Sequence, residues 1–206
     1  MPLTHLNHND ILALEQRYRA QLINSLYSSK PAFLLASFSK LQNNASTNLA
    51  IFSQVFHLGA NPALVGIVFR PDSVDRHSLS NIRENQFFSL QTFSKENYVK
   101  AHQTSARYPN NVSEFDTCGF EIEWIDNIPT VTNSSLRILC KLVQENRIEL
   151  NGTILLIAQI ESILVDDSMI QEDGFIDHEL VNTVSVSGLD TYHITKRLGR
   201  LPYAKP

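Results

Sequence analysis

Leu49–Arg70 reads LAIFSQVFHLGANPALVGIVFR. Two runs in it, Leu49–His57 and Ala63–Arg70, are short, apolar and rich in β-branched and aromatic residues, and Gly59, Asn61 and Pro62 lie between them. That pattern is strand, turn, strand, because branched and aromatic side chains suit a pleated surface while glycine and proline interrupt it. Working outward, the same signal recurs in Ala32–Ser39 before this stretch and in Phe87–Phe93, Cys118–Ile125, Leu136–Gln144 and Thr153–Val165 after it. Ser78–Asn85 has the length and cap for one or two helical turns, Lys95–Arg107 reads as helix and Tyr108–Ser113 as loop. Roughly seven short strands with few helices predict a mostly β fold, an antiparallel barrel with peripheral helices, and not alternating βαβ units.

The chain ends add little to that core. Asn9 or Asp10 can cap an N-terminal helix over about 10–28, with Ile11, Leu14, Tyr18, Leu22 and Leu26 on one face. Residues 189–206 form a polar, basic tail, and the 206 residues suit a single domain. A net charge of −4 with scattered Lys and Arg argues against a general nucleic-acid binder, so any phosphate must be held by a local cluster. No cationic start followed by an apolar run opens the chain, and Ile154–Ile160 is too short to span a bilayer. The expectation is a cytoplasmic protein with no membrane association. Cys118 and Cys140 read as small buried hydrophobes, and the seven histidines offer no designed metal site.

Several familiar chemistries are missing. The seven glycines form no phosphate loop of Walker or dinucleotide type, and no Gly-x-Ser-x-Gly elbow occurs. Two stretches stand apart. In Asn44-Ala-Ser-Thr-Asn-Leu-Ala-Ile-Phe-Ser53, small and hydroxylated residues lead into an apolar strand. This is either a polar turn before a core strand or a loop that lets a flat ligand approach main-chain N–H groups. In Arg70–Ile82, two arginines and His77 lie beside Ser78, Ser80 and Asn81 at an expected helix start. This is either a solvated connection with a serine cap or a phosphate cradle, where free N–H groups and the helix dipole favour an anion.

In order and spacing these elements resemble the flavin reductase-like family, which includes flavoredoxins and the small flavin reductases of two-component monooxygenases. The segments that carry the resemblance are Asn48-Leu-Ala-Ile-Phe-Ser53 after Ser46 and Thr47, Asn61-Pro-Ala-Leu-Val65, and His77-Ser-Leu-Ser-Asn-Ile82. Phe87-Phe-Ser-Leu90, Ser105-Ala-Arg-Tyr-Pro109 and Glu114-Phe-Asp-Thr-Cys-Gly-Phe120 follow. Ala63 departs from the pattern, where a second proline is usual.

The resemblance implies an FMN-binding split β-barrel over most of the chain. It implies that Ser46, Thr47, Asn48, Leu49, Ala50 and Ser53 line the isoalloxazine and ribityl, with Arg70, His77, Ser78 and Asn81 on the phosphate side. It implies a homodimer with FMN near the subunit interface, NAD(P)H as transient reductant, and a monooxygenase or electron-transfer partner. The expected activity is passage of hydride from nicotinamide to flavin. The alternatives are a flavoredoxin-like electron-transfer protein without free-flavin turnover, and a split-barrel module that has lost flavin. Because the flavin carries the chemistry, no catalytic side chain is assigned. His102 is a late candidate near a strand end, and Tyr192, Arg197 and Arg200 of the tail are candidates to complete a partner's site.

Overall fold

The computed structural model describes residues 1–39 and 46–205. Asn44 and Ala45, at the head of the polar stretch, lie outside the described residues.

Two helices open the chain where one is expected over 10–28. Asn7, not Asn9 or Asp10, caps α1 (His8–Ala13), accepting from the N–H groups of Asn9 and Asp10 while Asp10 bonds back to Asn7. Leu14 then turns extended, and the Glu15 carboxylate takes the Arg17 and Tyr18 N–H groups to start α2 (Gln16–Ser25). Neither helix buries a residue. Without a packed face to hold one continuous helix, the local cap decides the break.

The strands are β1 (Lys30–Pro31), β2 (Phe33–Ser39), β3 (Ser46–Phe52), β4 (Val55–Ala60), β5 (Ala63–Phe69), β6 (Phe87–Gln91), β7 (Ile122–Ile125), β8 (Ile128–Val131), β9 (Leu136–Ile148), β10 (Thr153–Val165), β11 (Val184–Ser187) and β12 (Thr191–Ile194). Among them lie α3 (His77–Asn85), α4 (Tyr98–Gln103) and α5 (Glu114–Cys118). Seven strands form one antiparallel sheet in the order β3-β2-β6-β9-β10-β5-β4.

β3 and β4 are the two margins of that sheet, yet only Ser53 and Gln54 separate them along the chain. The run Leu49–His57, which reads as one strand, is therefore parts of two strands at opposite margins. The turn between them draws the sheet round on itself. Beside that turn the Val68 N–H donates to Gln54 O at 2.9 Å, one rung beyond the β4–β5 pairing, and the Phe52 and Phe69 rings of β3 and β5 pack 4.8 Å apart.

Strand alternation then divides the apolar residues between two cores. Leu35, Ile67, Phe88, Leu90, Ile154 and Leu156 fill the inside of the curled sheet. Leu34, Leu49, Ala101, Phe115, Val131 and Val184 fill a second core under α4, α5 and β11.

The second core explains where the sequence reading slipped. Cys118, expected to open a strand, ends α5 instead, because Gly119 adopts a left-handed conformation and Cys118 turns into that core. The Lys95–Arg107 helix contracts to a 3₁₀ turn at Lys95–Asn97 followed by α4. The tail contributes β12, which joins β1 and β11 in a separate three-stranded sheet. Both cysteines are buried, and burial pushes the Cys140 thiol up to about 12. Among the described residues no helix is long and apolar enough to cross a membrane.

Candidate functional site

Among the described residues β3 pairs with a strand on one side only, β2, with Leu49 opposite Ala36 and Asn48 opposite Ser37. The Leu49 N–H points away from β2 and donates to Glu114 Oε2 at 3.1 Å. In an antiparallel strand such outward groups recur every second residue, so the Thr47 and Ile51 N–H groups share this open edge. The α5 region covers its first half. Ser46 Oγ donates to Asn110 O at 3.3 Å, and Thr47 Oγ1 lies 2.9 Å from Ser113 Oγ. From Ala50 to Ser53 the chain is half-exposed.

Behind the edge runs a buried polar network. Asn48 Nδ2 donates to Glu114 Oε2 at 2.8 Å, and its Oδ1 accepts from Ser78 Oγ at 2.5 Å. Asn81 Nδ2 donates to Ser37 Oγ at 3.2 Å, and Asn85 Nδ2 donates to the Phe38 carbonyl. These bonds seat α3 against β2 and β3, because its polar face finds partners there that water would otherwise supply.

The start of α3 is the second half of the site. Arg76 occupies the cap position but gives no side-chain cap, and the first helical bond runs from Ser80 N–H to Arg76 O. The His77, Ser78 and Leu79 N–H groups thus have no helical acceptor. Burial, then the positive charges of Arg70 and Arg107, pushes the Arg76 guanidinium below its ordinary value. Arg70, from the same loop, and Arg107, from the segment after α4, therefore stand within electrostatic reach of Arg76. Among the described residues none of the three has a carboxylate at ion-pair distance. Repelling cations of this kind are stabilised by an anion.

The loop that bears Arg70 and Arg76 is anchored at Asp72. Arg147 and Arg83 donate to its carboxylate at 3.0 and 3.2 Å and hold it below the usual carboxylate range. Arg83 also reaches Glu145 at 2.6 Å.

The sequence candidates thus fall into two groups. Ala50, Ser53 and His77 are half-exposed and Arg70 is exposed, whereas Ser46, Thr47, Asn48, Leu49, Ser78 and Asn81 are held in internal bonds or buried. Arg107 and Glu114 received no role from the sequence, although both lie in segments that carry the resemblance. Only the fold brings them to β3 and α3, so no local spacing could have shown it. The tail arginines are bound within their own chain: Arg197 to Asp177 at 2.6 Å and Arg200 to Asp173 at 2.5 Å. His102 Nδ1 lies 2.9 Å from the Tyr192 hydroxyl.

Residues 27–182 match the flavin reductase like domain. No curated protein matches the chain. A protein of Shewanella frigidimarina NCIMB 400, ascribed to the flavin reductases with a split barrel domain, is 41% identical, with a TM-score of 0.91 over 98% of this chain and 100% of that one. Nitrilotriacetate monooxygenase component B from Bacillus cereus has the same fold at 19% identity, with a TM-score of 0.84 over 98% and 100% of the two chains. The flavoredoxin of Desulfovibrio vulgaris (Miyazaki F) has it at 17% identity, with a TM-score of 0.73 over 86% and 92%. The curled antiparallel sheet is a split barrel, and the chain belongs to the flavin reductase like family.

Proposed function

We propose that the chain binds FMN along the Ala50–Ser53 edge of β3, with the phosphate among Arg70, Arg76, His77 and Arg107, and passes hydride from NAD(P)H to the flavin. One observation carries this reading. Arg76, at an uncapped helix start beside an open strand edge, has Arg70 and Arg107 within electrostatic reach, and among the described residues none of the three has a carboxylate partner. A ligand that fits both has a dianionic group at one end and a flat ring with hydrogen-bonding edges at the other, as FMN does.

The roles of the residues follow from their positions. Main-chain N–H groups around Ile51 and Ser53 meet the polar edge of the ring, and the small Ala50 side chain leaves room for it. Ser46, Thr47, Asn48 and Leu49 hold the strand that presents those groups. Ser78 and Asn81 hold α3, so that its free N–H groups and Arg76 are in place before the phosphate arrives. The bound flavin supplies the hydride acceptor. The chain itself positions the ring and neutralises the phosphate, and no side-chain acid or base is required.

The reading includes a homodimer. Phe56, Leu64, Val68, Leu155 and Ile157 lie on the outer face of β4, β5 and β10, with Phe56 opposite Gly66 and Gly66 opposite Ile157. Among the described residues the helices pack chiefly on β2, β3 and β6, and Leu64, Val68, Leu155 and Ile157 on the outer face stay partly exposed. Phe56 remains 40% exposed. A second copy covers such a patch, and Val68 places it two residues from Arg70, near the flavin. A monooxygenase is the class of partner that would consume the reduced flavin.

Titration with FMN, followed by NADH or NADPH with excess free flavin, tests the reading. Saturable binding and many turnovers of flavin reduction are expected. Bound flavin that only a partner protein reduces would shift the assignment to an electron carrier. Failure to bind FMN would remove both.

A further inference from the structure

We infer that Glu114 is a positioning residue that locks the ring-bearing strand to the phosphate-bearing helix, so that the two ends of FMN are recognised as one unit. This rests on the FMN reading above.

A single oxygen, Glu114 Oε2, accepts from both Asn48 Nδ2 at 2.8 Å and Leu49 N at 3.1 Å. It thereby settles which way the Asn48 amide faces. With Nδ2 toward Glu114, Oδ1 must face Ser78, and Ser78 Oγ donates to it at 2.5 Å. The result is an unbroken path from α5 through β3 to the first turn of α3. All three side chains are more than nine-tenths buried, so no water stands ready to replace a lost partner.

Each end of the path has a functional consequence. At β3, Glu114 occupies the outward N–H nearest the open Ala50–Ser53 edge and so fixes that edge. At α3, Ser78 is two residues from Arg76, so a shift of the first turn moves a member of the arginine cluster. Removing the Glu114 carboxyl leaves the Leu49 N–H unpaired and frees the Asn48 amide to turn over. An Nδ2 facing Ser78 cannot accept its proton.

The test compares FMN with riboflavin, the same ring and ribityl without the phosphate. The quantity read is the ratio of the riboflavin Kd to the FMN Kd. Glu114→Ala should lower this ratio about tenfold or more, because the phosphate no longer gains from a helix in register with the ring. Glu114→Gln keeps an oxygen for both donors and should restore most of the ratio. If Glu114→Ala fails to fold by circular dichroism, Ser78→Ala cuts the same path at its other end and should lower the ratio likewise. Equal weakening of both flavins, or no rescue by Glu114→Gln, overturns the positioning role. Wild-type protein that binds neither flavin overturns the FMN reading and this inference with it, whereas wild-type binding with an unchanged ratio in the variants overturns this inference alone.

Discussion

Ser78 Oγ donates to Asn48 Oδ1 at 2.5 Å across a separation of thirty residues, and both side chains are buried. The bond joins the first turn of α3 to the margin strand β3. The two stretches that stand apart in the sequence are thus a single construction. Breaking it leaves Asn48 Oδ1 with only the Ser37 hydroxyl at 3.5 Å. Ser78→Ala should therefore lower the unfolding free energy by about 1–3 kcal/mol, measured by urea denaturation with an unchanged m-value.

The arginine cluster makes a sharper demand. Arg76→Ala and Arg107→Ala each remove a cation that has no carboxylate partner among the described residues; Arg76 also gives up its long bonds to the Pro71 carbonyl at 3.4 Å, so folding stability should change little in the apo protein. FMN affinity should fall roughly ten- to hundredfold in each, as expected for loss of a charge-assisted bond of about 1.5–3 kcal/mol. Riboflavin affinity should change far less. Calorimetric titration with both flavins reads the difference.

How much of this was legible in the sequence depends on the range of each interaction. β2, β5, β6 and β10 were readable because the apolar and β-branched runs that form them are local. β10 matches its sequence limits residue for residue. The break at Ser53–Gln54 was not, because a run that stays apolar across a two-residue turn carries no punctuation. α5 was hidden for a similar reason: its Phe115 and Cys118 are buried by a core drawn from distant strands. At the site, Arg70 and Arg76 were visible as a basic helix start. Arg107 and Glu114 were not, since their roles exist only once α4 and α5 cover β3.

The outer sheet face gives a prediction about assembly. A Cβ on Gly66 would stand 2.3 Å from the Phe56 ring, which lies across it. Gly66→Val should expel that ring from the sheet surface and weaken the proposed homodimer while the barrel stays folded. Sedimentation velocity should show a shift toward monomer, with far-ultraviolet circular dichroism unchanged.

The tail yields a prediction of a different kind. Arg197 and Arg200 are bound to Asp177 and Asp173, and the Arg200 guanidinium also lies 4.3 Å from the Phe175 ring centroid. Glu179 also holds Arg197, at 3.2 Å from its guanidinium and 2.9 Å from its N–H, so replacing Asp173, Asp177 and Glu179 together by alanine should release the segment. Tryptic cleavage after Arg197 and Arg200 should accelerate several-fold at neutral pH, followed by mass spectrometry, while the barrel strands stay uncut.

The central claim is that the Ala50–Ser53 edge and the arginine cluster hold FMN. It is tested most directly by titrating the purified chain with FMN and following the flavin absorbance and fluorescence. The account predicts a perturbed spectrum that saturates near one FMN per chain, with weaker binding in Arg76→Ala. A spectrum that stays that of free FMN, with no saturation at any protein concentration, would contradict it.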